Sequence, residues 1–261
     1  MGAPSGSIGG DADVASIGAL VGDPGRARIL LALDDGRALP ASVLAAEAGV
    51  HPSTASSHLA KLVAGGLLSV ERHGRHRYFK LAGPEVATLL EALARVAPVR
   101  RVTSLREGTR AHQLRQARTC YDHLAGRLGV SLMTSLLRSG YLAGGDGARG
   151  PSAPRAGYAH EVDYRLTDAG RAFLADLDVT LPPRRRAVRH CIDWSEQRHH
   201  LAGGAGRGLL DRFVASGWIR QVPRNRAVLV TPAGSTALRE HFAIDWSEVT
   251  HPRPPWSAGG A

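Results

Sequence analysis

Residues 49–66 read Gly49-Val50-His51-Pro52-Ser53-Thr54-Ala55-Ser56-Ser57-His58-Leu59-Ala60-Lys61-Leu62-Val63-Ala64-Gly65-Gly66, and their punctuation decides the fold of the first third of the chain. Gly49-Val50-His51 makes a tight turn. Pro52 then sits at the first position of a helix, where its missing N–H costs nothing, and Gly65-Gly66 stops that helix near Ala64. Ala55, Leu59 and Leu62 recur at helical spacing and face a core. Ser53, Thr54, Ser56, Ser57, His58 and Lys61 fall outside that stripe, as short polar groups and a cation able to meet base edges and phosphates. The helix N-terminus itself favours phosphate.

Outward from this helix the pattern is consistent. Upstream, Val14–Leu20, Arg26–Leu33 and Ala41–Ala48 read as short helices, with Asp23-Pro24 as a start signal and Asp34-Asp35-Gly36 as a stop. Downstream, residues 67–82 read as two short strands around the Gly-containing turn at His73-Gly74-Arg75-His76, followed by a helix over Glu85–Val96. Helices, a turn, a polar helix, a hairpin and a further helix make a winged helix-turn-helix. The hairpin concentrates Arg72, His73, Arg75, His76, Arg77 and Lys80, which suits a wing lying along a nucleic-acid backbone or minor groove.

Residues 14–96 resemble the ArsR/SmtB family of bacterial transcriptional repressors. The resemblance is carried by Gly22-Asp23-Pro24-Gly25-Arg26-Ala27-Arg28-Ile29-Leu30, Leu44-Ala45-Ala46-Glu47-Ala48-Gly49-Val50, the helix from Ser53 to Leu62, Gly65-Gly66-Leu67-Leu68, and Arg75-His76-Arg77-Tyr78-Phe79-Lys80-Leu81. It covers about a third of the chain and implies a homodimer on an imperfect inverted repeat of double-stranded DNA, repressing until an inducer binds. His51 departs from the Ser or Thr that commonly caps such a helix. The family's metal sites do not come with the resemblance. Ala45 and Glu47 stand where a thiolate pair would be expected, and Pro84–Val96 offers Glu85 and Glu91 but no His.

Beyond residue 99 the chain repeats itself. Arg118-Thr119-Cys120-Tyr121-Asp122 parallels Arg189-His190-Cys191-Ile192-Asp193, and Tyr164-Arg165-Leu166-Thr167-Asp168-Ala169-Gly170 parallels Val228-Leu229-Val230-Thr231-Pro232-Ala233-Gly234. The expected fold class is therefore mainly α with small β-hairpin wings. It comprises a flexible N-terminus (1–13), the winged helix-turn-helix domain (14–98), an Arg-rich linker or dimerisation helix (99–117), two degenerate winged-helix-like units (118–179 and 180–250), and a disordered tail (251–261). Ala143–Ala159 reads as an enlarged, mobile wing loop. The linker's arginines, Arg118 included, read as a stripe on one helix face.

Cys120 and Cys191 occupy matching repeat positions. Read helically, Cys120 has His123 one turn away, and Cys191 has His190 beside it. If the copies pack together, Cys120, His123, His190 and Cys191 could bind a soft divalent metal ion (zinc, cadmium or lead). They could also form a reversible disulfide, ligate haem through a Cys and a His, or simply pack as core residues. His199-His200, in a polar stretch, reads as surface. Gly204-Ala205-Gly206-Arg207-Gly208 suggests a phosphate loop, but lacks a preceding strand and a following Lys-Ser/Thr.

Composition sets the outer limits. The 261 residues carry a net charge of +10, and 43% are hydrophobic. This excludes an acidic disordered chain and points to polyanionic partners. Residues 1–98 hold nine basic and nine acidic side chains, so the surplus lies wholly in the later part. No apolar run approaches the length of a membrane span and no secretory leader is visible, so no membrane partner and a cytoplasmic location are expected. Two cysteines make no disulfide framework. No Ser-His-Asp set, carboxylate pair or H-E-x-x-H stretch points to an enzyme. The expected function is sequence-specific regulation of transcription, with release by an inducer such as a soft metal ion or thiol-reactive signal. The alternative is a non-catalytic interaction or dimerisation protein whose later units bind a protein partner or small organic ligand.

Overall fold

A computed structural model describes residues 11–74, 76–98, 105–145, 163–183, 185–222 and 225–250. The described residues form two compact units, one within 11–33 and 38–82, the other within 34–37 and 83–250.

The first unit runs α1 (Val14–Val21), α2 (Pro24–Ala32), β1 (Leu39–Pro40), α3 (Ala41–Ala48), α4 (Pro52–Ala64), β2 (Leu68–His73) and β3 (His76–Leu81). The Asp23 side chain caps α2 by accepting the Arg26 N–H at 2.8 Å. Gly49, at φ +65°, ends α3 in the left-handed region that a side chain would resist. Ile29, Leu30, Leu44, Ala48, Ala55, Leu59, Leu62, Phe79 and Leu81 form the buried core. The three sheet strands are antiparallel in the order β1-β3-β2. The Leu39-Pro40 segment, which leads into α3 with Pro40 at its N-cap, also adds a third strand by pairing with Phe79 and Tyr78.

His51 occupies the cap position of α4. Its ring does the work of the expected Ser or Thr, with Nδ1 lying 2.9 Å from the Ser53 Oγ and 3.4 Å from the Ser53 N–H it accepts. The second contact is long. His51→Ser, with a compact acceptor better placed for the first turn, is expected to raise stability by about 0.5–1 kcal/mol in chemical denaturation.

The second unit opens with α5 (Pro84–Val96) and α6 (Leu105–Gln116). A first copy of the repeat follows: β4 (Arg118–Cys120), β5 (His123–Ala125), α7 (Gly126–Arg138), β6 (Leu142–Ala143), β7 (Arg165–Leu166) and α8 (Asp168–Asp176). The second copy is β8 (Arg189–Ile192), β9 (His199–Ala202), α9 (Gly203–Ala215), β10 (Ile219–Gln221), β11 (Val228–Val230) and α10 (Pro232–Phe242), with α11 (Trp246–Thr250) after it. Each copy is hairpin, 13-residue helix, hairpin, helix. The copies agree in detail. Thr167 caps α8 by accepting the Gly170 N–H at 3.0 Å, and Thr231 caps α10 by accepting the Gly234 N–H at 3.0 Å. Their core is shared: Leu124, Leu128, Met133 and Leu136 of one copy join Leu201, Leu209, Phe213 and Leu238 of the other.

Three expectations need correction. The helix over 84–96 belongs with the second unit rather than with a domain ending at 98, because its buried Glu91 meets Arg118 and Arg226 there. Arg118 is not on an exposed helix stripe. It lies on β4 with no exposed surface, while Arg110 and Arg115 of α6 are exposed. Gly204–Gly208 does follow a strand, β9, but forms the first turns of α9 and is almost wholly buried, which is a structural use of glycine. Residues 1–10, 99–104, 146–162 and 251–261, including Arg100, Arg101 and most of the expected wing loop, lie outside the described residues.

Candidate nucleic-acid interface and a buried cysteine–histidine cluster

In the first unit, the α4 residues expected to face nucleic acid are mostly where the periodicity puts them. Ser53, Thr54, Ser56, Ser57 and Lys61 are exposed, while Ala55, Leu59 and Leu62 are buried beneath. The Ser56 hydroxyl donates back to the Pro52 carbonyl at 3.0 Å. His58 is different. Its ring is turned inward, with Nε2 3.6 Å from the Asp23 carboxylate and a side chain only 14% exposed, so it buttresses the start of α2.

The wing pairs in register, with Arg72 opposite Arg77 and His73 opposite His76. Arg72, His76 and Arg77 are exposed. Two arginines facing each other across a ladder repel, an arrangement that a polyanion between them relieves. Lys80 is ion-paired with Glu71 on the neighbouring strand, so it adds little to the wing's field. Arg75 lies outside the described residues, as does the side chain of His73.

The second unit holds a different constellation. Cys120 and His123 are directly opposed on the β4–β5 hairpin, and Cys191 and His200 are directly opposed on β8–β9. Their ligand-capable atoms all lie within 4.8 Å of one another. The two imidazoles stack, with centroids 5.1 Å apart. Cys120, His123 and His200 are buried and Cys191 is partly so. Hydrogen bonding from the adjacent Cys191 sulfur, and then burial, push the Cys120 thiol well above its usual range. Burial, then the neighbouring His123, push His200 well below the usual histidine range, which makes it a neutral imidazole.

Around this cluster runs an ionic shell. Asp122 lies 3.3 Å from His123 Nδ1 and is paired through its other oxygen with Arg185. Asp193 lies 3.7 Å from His200 Nδ1, accepts the Gly126 N–H at 2.6 Å, and pairs with Arg118 at 3.0 Å. Burial works against the charged form of Asp193, but the Arg118 guanidinium outweighs it and holds the carboxyl well below its usual range.

The sequence grouping of Cys120, His123, His190 and Cys191 is thus corrected at one member and in its geometry. Cys120 and His123 are partners across a two-residue turn, not one helical turn apart. Adjacent residues on a strand point to opposite faces, so His190 cannot join Cys191. Its ring instead meets Tyr164 and His199. His200, expected at the surface, is the fourth member, and His199 is buried too, hydrogen-bonded to the Tyr164 hydroxyl at 2.8 Å. The sequence signal for His200 was the repeat itself, since it pairs with Cys191 as His123 does with Cys120.

A core-packed helix with an exposed polar face, followed by a cationic wing, defines a winged helix-turn-helix DNA-binding regulator. The helix-turn-helix domain family matches residues 21–71. The uncharacterized HTH-type transcriptional regulator YdfF of Bacillus subtilis (strain 168) is 40% identical over 236 residues, which cover 89% of this chain and 98% of that protein. The chain belongs to this family of HTH-type transcriptional regulators. Similar solved structures include the homodimeric winged helix-turn-helix DNA-binding domain Mb0332 of Mycobacterium bovis, at 30% identity over 33% of this chain and 86% of that one, with a TM-score of 0.29. The cadmium metal-sensor CmtR of Mycobacterium tuberculosis is another, at 35% identity over 35% of this chain and 94% of that one, with a TM-score of 0.29. No helix among the described residues is long and apolar enough to cross a membrane.

Proposed function

We propose that the chain is a dimeric, cytoplasmic repressor of the ArsR type. It reads an imperfect inverted-repeat operator with α4 and the β2–β3 wing, and is released by an inducer that acts on the second unit. The observation that carries this reading is the exposed set Ser53, Thr54, Ser57 and Lys61 above a fully buried Ala55-Leu59-Leu62 stripe, continued by Arg72, His76 and Arg77 on the wing. Short hydroxyls and one cation on a helix face suit base edges and phosphates in a major groove. Dimerisation is supported by α1, whose sequence Val-Ala-Ser-Ile-Gly-Ala-Leu-Val is largely apolar yet contributes no buried residue, a face that a second copy would cover.

The test is fluorescence anisotropy with DNA from upstream of the gene, titrated with salt. Lys61→Ala and Arg77→Ala are each expected to weaken binding and to lower the salt slope by about 1, the signature of one lost phosphate contact. Binding with an unchanged slope in both variants would remove these residues from the interface.

A further inference from the structure

We infer that Cys120, His123, Cys191 and His200 form a tetrahedral binding site for a divalent d10 metal ion, zinc above all, assembled from one Cys–His pair of each repeat. The donor set fits. Two thiolates and two imidazoles are a closed structural zinc set, and thiolate softness selects against magnesium, calcium and manganese. Donor atoms on a tetrahedral zinc lie about 3.3–3.8 Å apart, given Zn–S and Zn–N bonds of about 2.3 and 2.0–2.1 Å. Atoms already within 4.8 Å of one another need only small rotamer adjustments to reach that spacing.

A second observation points to a ligand independently of the grouping. Nε2 of His123 and Nε2 of His200 are both buried without a hydrogen-bond partner. Buried polar atoms are almost always satisfied, and two orphaned imidazole nitrogens beside two sulfurs are what a cation would satisfy. The opposite nitrogens differ. Nδ1 of His123 is hydrogen-bonded to the Asp122 carboxylate at 3.3 Å, which fixes the proton there and leaves the Nε2 lone pair free, the outer-shell arrangement found around metal-bound histidines. Nδ1 of His200 lies 3.7 Å from the Asp193 carboxylate, beyond hydrogen-bond distance, and is itself without a hydrogen-bond partner. Each carboxylate is in turn held by an arginine, Arg185 or Arg118. In both repeats the aspartate stands two residues after the cysteine, in Cys120-Tyr121-Asp122 and Cys191-Ile192-Asp193.

The helices leave room for the ligands. A Cβ on Gly206 of α9 would lie 3.1 Å from the His123 Cβ, and one on Gly129 of α7 would lie 3.4 Å from the His200 Cβ. The helix of each copy thus presents a glycine to the histidine of the other.

The site stands on the second unit alone, and only its coupling to operator release rests on the function proposed above. The test uses the full-length chain. Zinc content measured by mass spectrometry after reduction and gel filtration is expected at about one ion per chain, falling below about a tenth in Cys120→Ser/Cys191→Ser and in His200→Ala. His190→Ala, a histidine next to a ligand but on the other strand face, is expected to keep its zinc. Should the ligand variants fail to fold, reconstitution of metal-stripped wild type with Co(II) decides. Tetrahedral ligand-field bands with thiolate charge transfer support the site, and an octahedral spectrum without them overturns it. A Cys120–Cys191 disulfide in freshly isolated protein, or zinc unaffected by His200→Ala, overturns it as well. Zinc bound as expected, with no change in operator affinity on its removal, leaves the site standing and sinks only its regulatory use.

Discussion

Arg118→Ala is expected to cost about 3–5 kcal/mol, the range for breaking a buried ion pair from one side. The guanidinium has no exposed surface and is the link of an internal ionic network. It reaches Asp193 at 3.0 Å and Glu91 at 3.4 Å, and its charge lies 4.8 Å from the Trp194 ring centroid. Alanine leaves Asp193 without its main counter-charge in a site from which water is excluded. It also leaves Glu91 to Arg226 alone, which is already shared with Asp34. For a unit of this size the loss corresponds to a fall in Tm on the order of 10 °C. Arg118→Lys should recover part of it, since an ammonium keeps the charge beside the two carboxylates that Nη2 meets but gives up the Nη1 contacts to the Leu114 carbonyl and the Ser195 hydroxyl. Urea unfolding of the three proteins checks this. A loss below about 1 kcal/mol for Arg118→Ala would mean that the network is solvated in solution.

Gly170→Ala and Gly234→Ala form the second expectation, and their interest lies in their sign. In a helix Gly→Ala ordinarily stabilises by up to about 1 kcal/mol. Here an added Cβ would meet a backbone carbonyl, at 2.1 Å from Tyr141 O in one repeat and 2.0 Å from Trp218 O in the other. Those carbonyls are fixed, because each accepts the backbone N–H of the capping threonine, at 3.1 Å from Thr167 and 2.9 Å from Thr231. Backbone must therefore move, and both substitutions are expected to destabilise by about 1–3 kcal/mol or more. Gly18→Ala in α1, where a Cβ meets nothing within 4 Å, should show the ordinary stabilising sign in the unfolding of its own unit. Equal, stabilising effects at all three positions would refute the close approach.

These residues show what a sequence can and cannot disclose. The winged helix was legible because Pro52, Gly49 and Gly65 mark helix ends and the apolar period marks the buried face, all local signals. The duplication was legible as repeated spacing. The geometry of the Cys–His cluster was not, for two local reasons. Tyr121 turns its hairpin in the left-handed region, at φ +56°, where tyrosine gives no turn signal, so the segment passed for a helix. His190 adjoins Cys191 in sequence, whereas strand alternation selects His200, nine residues on. Arg118 passed for a surface residue because arginine is buried only with a partner, and Asp193 lies 75 residues away. The inward turn of the His58 ring was not legible, because helical phase alone cannot reveal that Asp23 draws it inward.

The matched hairpins carry a consequence for origin and dosage. One repeat supplies only one sulfur and one nitrogen, so a solitary copy would complete a four-donor sphere only by meeting a second copy, and its metal occupancy would rise and fall with protein concentration. Joining two copies in one polypeptide makes that encounter intramolecular, at an effective concentration set by the intervening chain. With the site inferred above, a tandem chain would bind its ion equally well when only a few molecules are present.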